Sequence, residues 1–314
     1  MIPALVLTAG LATRLRPLSL ERAKAALPVA GQPLIGRILA WLRANGVTDA
    51  VLNLHHKPES LTRIVGDGQD FGVRVRYSWE TPVLGSAGGP QRASPILAAP
   101  RFLIVNGDTL TTLDLAPLLE HHARSQALVT LAGVPNREPH KYSGLLAGPD
   151  GALAGVAPRG SALPSYHFYG VQVAEAAAFA GVPPDTPYES VAALYPALNA
   201  RRPGAVRVLQ TSATYHDIGT PLDYFATSMA LAEREGAGQY GAGCRVAPTA
   251  SVRRSILWDD VAIGDGAEVE HCIVTDGVSV PPRTSWARQI LRRLDGNLAP
   301  GETAVGSLAV SELS

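Results

Sequence analysis

The sequence is poor in cysteine and carries no net charge. Its two cysteines, Cys244 and Cys272, are too few for a disulfide framework and show no metal-ligand spacing. They fit a reducing cytoplasm and read as small apolar filler. The 27 basic and 27 acidic residues cancel, so a polyanion such as DNA finds no electrostatic footprint, and no nucleic-acid partner is expected. No apolar run is long enough to span a bilayer, so no membrane partner is expected either. The first apolar run has no basic region before it and passes into a glycine and arginine loop instead of a cleavage site. It reads as a strand, not a signal peptide. The eight histidines, among them the pairs His55 with His56 and His121 with His122, lack zinc-site spacing. "LGSAGG" lacks the Gly-x-Ser-x-Gly elbow of a serine hydrolase.

What is present is ample apolar material in an alternating pattern. At 314 residues and 46% hydrophobic, the chain can bury one large domain and a small one. "PALVLT", "DAVLNLHH", "VRVRYS" and "RFLIVNGD" read as strands, whereas Pro33 to Asn45, Pro58 to Val65 and Asp114 to Ser125 repeat apolar residues at helical spacing. Gly46 supplies a helix stop. Strand and helix in alternation predict a parallel sheet covered on both faces, with ligands at the carboxyl ends of the strands. After about residue 236 the texture changes. Aliphatics recur at five- to six-residue steps with Gly, Asp and Pro at the corners, the pattern of a hexapeptide β-helix of two to three coils. Three regions follow: a catalytic domain over 1–235, a short β-helix over 236–290, and a C-terminal tail over 291–314 that is expected to be poorly ordered after Ala299. Two or three coils are too small a platform for an acyltransferase, so they read as a packing or oligomerisation element. Their exposed strand edge and apolar face would suit a homo-oligomer.

The stretch "LVLTAGLATRLRPLSLERAKAALPV" leaves a strand end at Gly10 and carries Arg14, Arg16 and Lys24. Such a loop can turn backbone N–H groups and cations toward one anion. It is neither a Walker A loop nor a dinucleotide fingerprint, since the required lysine-serine and glycine spacings are missing.

"LTAGLATRLRPLSLERAKAALPVAGQPLI" resembles the signature of the sugar-phosphate nucleotidyltransferases, and "ETPVLGSAGG", "VNGD" and "HDIGTP" resemble three further family segments in the right order. The resemblance covers the chain to about residue 235. It is nearest in look to mannose 1-phosphate guanylyltransferase-like and N-acetylmuramate 1-phosphate uridylyltransferase-like members. It implies a Rossmann-like doubly wound mixed sheet with a short C-terminal left-handed β-helix. It implies an enzyme that joins an NTP and a sugar 1-phosphate into an NDP-sugar, releases pyrophosphate and uses Mg²⁺. Arg14, Lys24 and Asp108 are then the expected catalytic residues. Arg14 offers a fork to the terminal phosphates and Lys24 a point charge to the α-phosphate. Asp108, after an apolar strand, and Asp217 are the expected metal ligands. Gly10, Thr13, Glu80, Gly85, Ser86, Gly88 and Gly144 are expected at the substrates. For Arg16 a salt bridge that shapes the loop serves equally well.

Two departures stand out. Family members usually have glycine where this chain has Ala12, and a methyl is tolerable there wherever φ is negative. They also often carry a Glu-Lys-Pro lysine on the sugar phosphate, for which Arg159 is the nearest replacement. Two alternatives remain open: a non-catalytic regulatory relative, and transfer to an alcohol phosphate such as phosphocholine.

Overall fold

The computed structural model describes residues 2–314. The chain divides into two compact units, Met1–Leu11 with Ile35–Asp217 and Ala12–Leu34 with Ile218–Ser314. Most of the signature segment, Ala12–Leu34, thus groups with the C-terminal part of the chain.

The first unit is built on a nine-stranded sheet. At its centre Ala4–Leu7 pairs in parallel with Asp49–Leu54 on one side and Arg101–Asn106 on the other, and Leu7 faces both Asn53 and Asn106. Arg74–Trp79 extends the parallel side. Successive strands step outward from Ala4–Leu7 and then return to its other flank, so the connections at the carboxyl ends diverge there. That divergence is where open α/β sheets bind ligands. Beyond Arg101–Asn106 the sheet turns antiparallel through Tyr166–Glu175 and Val129–Pro135. Alternation alone predicted a parallel sheet. The observed sheet is mixed, as the resemblance implied. Leu5, Val51, Phe102, Ile104 and Leu131 bury the core between sheet and helices.

The helices follow the apolar periodicity closely. The expected ones span Leu34–Ala44, Pro58–Val65 and Leu115–Ser125, the last capped by the Asp114 carboxylate, which accepts the Ala116 N–H at 2.9 Å, and Gly85–Leu97 and Tyr195–Arg201 are helices as well. No helix of the described residues is long and apolar enough to cross a membrane.

The second unit holds the signature segment, a helix and the β-helix. The segment runs through short 3₁₀ turns at Thr13–Leu15, Leu18–Leu20 and Lys24–Ala26. The helix Pro221–Glu235 is capped by Thr220, whose hydroxyl accepts from the Asp223 N–H at 3.1 Å. Three coils follow with a 17-residue repeat, as Arg245 pairs with Ala262 and Ala262 with Ser279. Val261, Ile263, Val269, Val274 and Val280 fill the prism.

The tail is not loose. Thr303–Val305 and Leu308–Glu312 form a hairpin whose second strand runs antiparallel to Gln289–Arg293. Burial of Leu308, Ala309 and Val310 drives this pairing, and the hairpin covers a strand edge that the coils would otherwise expose. An ion pair between Arg292 Nη2 and Glu302 Oε2 at 2.9 Å fixes it in place.

Candidate active site

In the first unit the two expected metal ligands come close along the chain's ladders. Tyr215–Asp217 runs antiparallel to Thr109–Thr111, with Asp217 opposite Thr109, the residue after Asp108. Both aspartates are half-buried. Two carboxylates at neighbouring ladder positions supply hard oxygen donors of the kind that hold Mg²⁺, with room left for water and phosphate ligands. No group of three or more His, Cys, Asp or Glu residues is gathered for a metal among the described residues.

Asn106, two residues before Asp108, lines a cavity of about 590 Å³ at the sheet's carboxyl edge. Ser86, Asn106, Ser143, Gln172, Glu189 and Ser190 give it a polar lining, with Val156, Phe168 and Pro196 as apolar wall. Its floor is ordered by hydrogen bonds. Ser86 Oγ donates to Glu189 Oε2 at 2.7 Å and accepts from the Ser190 N–H at 2.9 Å, and Tyr195 Oη donates to Gln172 Oε1 at 2.6 Å. Ser190–Leu194 is a π-helical stretch, a form that recurs at functional sites. Sequence reasoning missed Glu189, Gln172 and Asn106, and the polar residue within the strand "YGVQVA" was the available signal.

Several expected substrate contacts turn out to serve the scaffold as well. Glu80 is 2% exposed, and its carboxylate accepts from Asn53 Nδ2 at 2.7 Å and from the Leu84 N–H at 2.8 Å. Asn53 Oδ1 in turn accepts from the Thr8 N–H at 2.6 Å. Glu80 therefore ties the end of the first strand to the turn that leads into the helix Gly85–Leu97, a positioning role beside the expected substrate contact. Gly89 leaves room for it, since a Cβ there would lie 2.8 Å from Glu80 Oε1. At Gly85, with φ of 75°, a side chain would meet Glu189 and the Tyr188 carbonyl, and at Gly88 it would meet the Thr186 carbonyl. Gly144 follows the cavity residue Ser143 and is packed against Ser165, which leaves no space for a Cβ. Arg159 stands in an exposed turn.

An aromatic group surrounds the strand that leads to Asp217. The Tyr142 and His167 rings lie 4.0 Å apart, His167 and Tyr215 4.9 Å, and Tyr169 and Tyr215 5.6 Å. Burial, reinforced by the Lys141 ammonium, lowers the His167 pKa to about 4 and keeps the ring neutral. Burial likewise pushes the Tyr215 hydroxyl up to about 12.

In the second unit Arg14 and Arg16 are both exposed and line a cavity of about 670 Å³ with Thr220, Gln289, Ser311 and Glu312. No hydrogen bond or ion pair of either guanidinium is found among the described residues. The Arg14 guanidinium lies over Gly219, where a Cβ would come within 3.5 Å of it. The "HDIGTP" motif thus supplies the glycine that admits the signature arginine. Thr13 begins the first 3₁₀ turn and Lys24 begins the third, half-buried, while Gly10, in the first unit, is exposed in open space. Ala12 departs from expectation: its φ is 47°, in the left-handed region where a methyl costs energy.

A model of the nucleotidyl transferase family matches residues 3–234. The chain belongs to that family. A GlmU-like C-terminal hexapeptide model matches residues 240–287, in keeping with a left-handed β-helix. Mannose-1-phosphate guanylyltransferase of Mycobacterium tuberculosis is 28% identical over 89% of this nucleotidyltransferase and 81% of its own length. N-acetylmuramate alpha-1-phosphate uridylyltransferase of Neisseria meningitidis is 42% identical, over 35% of this chain and 48% of its own. The crystal structure of HddC from Yersinia pseudotuberculosis complexed with GMP-PN shares the fold, with a TM-score of 0.65 and 23% identity over 74% of this chain and all of that one.

Proposed function

We propose that this nucleotidyltransferase joins an NTP to a sugar 1-phosphate, giving an NDP-sugar and pyrophosphate. One observation carries this reading: Asp108, with Asp217 paired opposite its neighbour Thr109, follows the strand Arg101–Asn106, whose last residue lines a cavity that sets Ser, Asn, Gln and Glu side chains in a largely apolar wall. The curated relatives act on mannose and N-acetylmuramate phosphates, which supports the same class.

The chain's own residues do most of their work by positioning and by neutralising charge. The sugar phosphate is an anion at neutral pH, so its oxygen attacks the α-phosphorus in line with departing pyrophosphate and needs no base. Lys24 stabilises the charge that builds at the α-phosphate, and the Arg14 fork holds the terminal phosphates. Asp108 and Asp217 would hold Mg²⁺, which when bound neutralises phosphate charge. Ser86, Glu189 and Ser190 orient the sugar. Gly10 and Thr13 let the backbone approach the nucleotide, and Arg159 is the expected cation for the sugar phosphate. The enzyme works in the cytoplasm, and its β-helix is available for homo-oligomer contacts.

The test is pyrophosphate release with GTP and UTP against a panel of sugar 1-phosphates. Asp108→Asn should abolish release with the fold intact, and excess EDTA should do the same to the parent. Release only with phosphocholine would assign the alcohol-phosphate reading. NTP binding with no release from any acceptor would make the chain a regulatory relative.

A further inference from the structure

The strongest unexplained feature lies in the β-helix and faces the signature segment. Asp259 and Asp276 occupy the same corner of successive coils, one 17-residue repeat apart. Two stacked carboxylates repel each other unless a cation lies between them, and here that cation is Arg22. Its Nε donates to Asp276 Oδ2 at 2.7 Å and its Nη2 to Asp259 Oδ2 at 2.6 Å. The guanidinium also sits 5.3 Å from the centre of the Trp258 ring, and the Arg22 side chain is only 14% exposed. The surrounding residues are fastened in the same manner. Arg292 Nη1 donates to Glu21 Oε1 at 2.9 Å. Trp258 Nε1 donates to Tyr224 Oη at 3.0 Å, and Tyr224 Oη donates to the Pro28 carbonyl at 2.6 Å. Ser228 Oγ accepts from the Ala30 N–H at 2.8 Å.

All these anchors bracket Lys24, which stands in a three-residue 3₁₀ turn with no extended helix or sheet of its own. A turn of that kind has little intrinsic rigidity, so its position is set by the packing of buried Ala23, Ala25, Ala26 and Leu27 together with what holds its flanks. We propose that the β-helix is a positioning element for catalysis, in which Asp259 and Asp276 fix Arg22 and thereby the placement of Lys24. The inference rests on the reading of Lys24 as the cation at the α-phosphate. It adds a catalytic consequence to the expected packing or oligomerisation role, because the aspartates converge on an arginine two residues before Lys24.

The experiment is a double-mutant cycle on the full-length chain, read by kcat and KM for pyrophosphate release. Asp276→Asn keeps size and polarity, and should lower kcat by about ten- to a hundredfold, the cost of a small misplacement, while NTP KM moves by less than about threefold. Arg22→Met should lose at least as much, and Arg22→Lys should recover part of it. On a Lys24→Ala background Asp276→Asn should add no further loss, because its effect passes through Lys24. Should Asp276→Asn fail to fold, Arg22→Lys takes its place in the cycle with the same expectation. Independent, multiplying losses would overturn the proposal, as would an unchanged kcat in Asp276→Asn. A Lys24→Ala enzyme with normal kcat would instead sink the assignment of Lys24 itself, and with it the route proposed here.

Discussion

Two loops carry most of the recognisable motif, and they are held by different means. Ala12–Leu34 is fastened from far along the chain: Arg22 to Asp276 and Asp259, and Glu21 to Arg292, 254, 237 and 271 residues away. The turn over 80–84, which leads into the helix Gly85–Leu97, is fastened from nearby, by one buried carboxylate that joins Asn53 to Leu84. A loop can therefore be rigid through distant ion pairs, which solvent and salt weaken, or through a buried hydrogen-bond hub, which fails when one atom is removed. The first kind leaves its charged side chains free to meet a ligand, as with Arg14 and Arg16. The second uses its charge internally, as with Glu80.

If that distinction is right, the largest kinetic effects belong to the signature segment. Lys24→Ala should lower kcat by about 10²- to 10³-fold with a modest change in NTP KM, the usual cost of one well-placed electrostatic donor. Arg14→Ala should raise KM and lower kcat together, because terminal phosphates are charged before and after reaction. Steady-state rates on the two variants decide the matter, and equal patterns would erase the division of labour.

The 80–89 loop should answer in stability. Glu80→Ala strands the buried Asn53 amide and the Leu84 N–H, at a cost of about 2 to 3 kcal/mol, and Glu80→Gln should cost less because it keeps one acceptor. Denaturant midpoints at unchanged slope would measure both. A Glu80→Ala protein of normal stability but poor sugar-phosphate KM would return Glu80 to the substrate.

How much of this was legible follows from range. Pro58 to Val65 and Asp114 to Ser125 were readable because apolar periodicity and caps are local signals. Asp108 and Arg14 were readable as motif members. The burial of Glu80 was not, since nothing near it announces Asn53 as its partner. Nor was the tail readable as strands: Leu308, Ala309 and Val310 look like part of a short apolar run until the edge of Gln289–Arg293 is there to receive them. The mixed sheet was legible only through resemblance, because Tyr166–Glu175 takes its direction from distant neighbours.

The two units should also part company in acid. His167 has a folded pKa of about 4, below its ordinary 6.5, so its contribution to stability is full above 6.5 and is lost as pH falls toward 4. In the second unit the Arg292 guanidinium and the Ala299 N–H lower the Glu302 pKa against the opposing effect of burial. Its contribution is present above the usual carboxylate value of 4.5 and is lost only as pH falls below that. Urea midpoints should therefore drop first between pH 6.5 and 4, and His167→Phe should shrink that limb, to which His121 and His122, also lowered by burial, contribute, while leaving the lower one. An unchanged upper limb in His167→Phe would assign it to other groups.

The smallest effect tests the two loops at their shared geometry. Each turns through a left-handed residue, Gly85 at φ 75° and Ala12 at φ 47°. At Gly85 a Cβ would lie 2.8 Å from Glu189 Oε1 and 2.9 Å from the Tyr188 carbonyl, so Gly85→Ala adds a clash to the dihedral penalty and should cost about 1 to 3 kcal/mol. Ala12 already carries its methyl. Ala12→Gly relieves about 1 kcal/mol of left-handed strain but loosens the unfolded chain by a similar amount, so stability should change by no more than about 0.5 kcal/mol. The kinetic expectation is sharper. If Ala12 reaches the conformation that glycine adopts in relatives, Ala12→Gly should leave kcat within about twofold. A tenfold rise would mean that the methyl displaces the phosphate loop, and that this chain has given up part of its turnover at that one position.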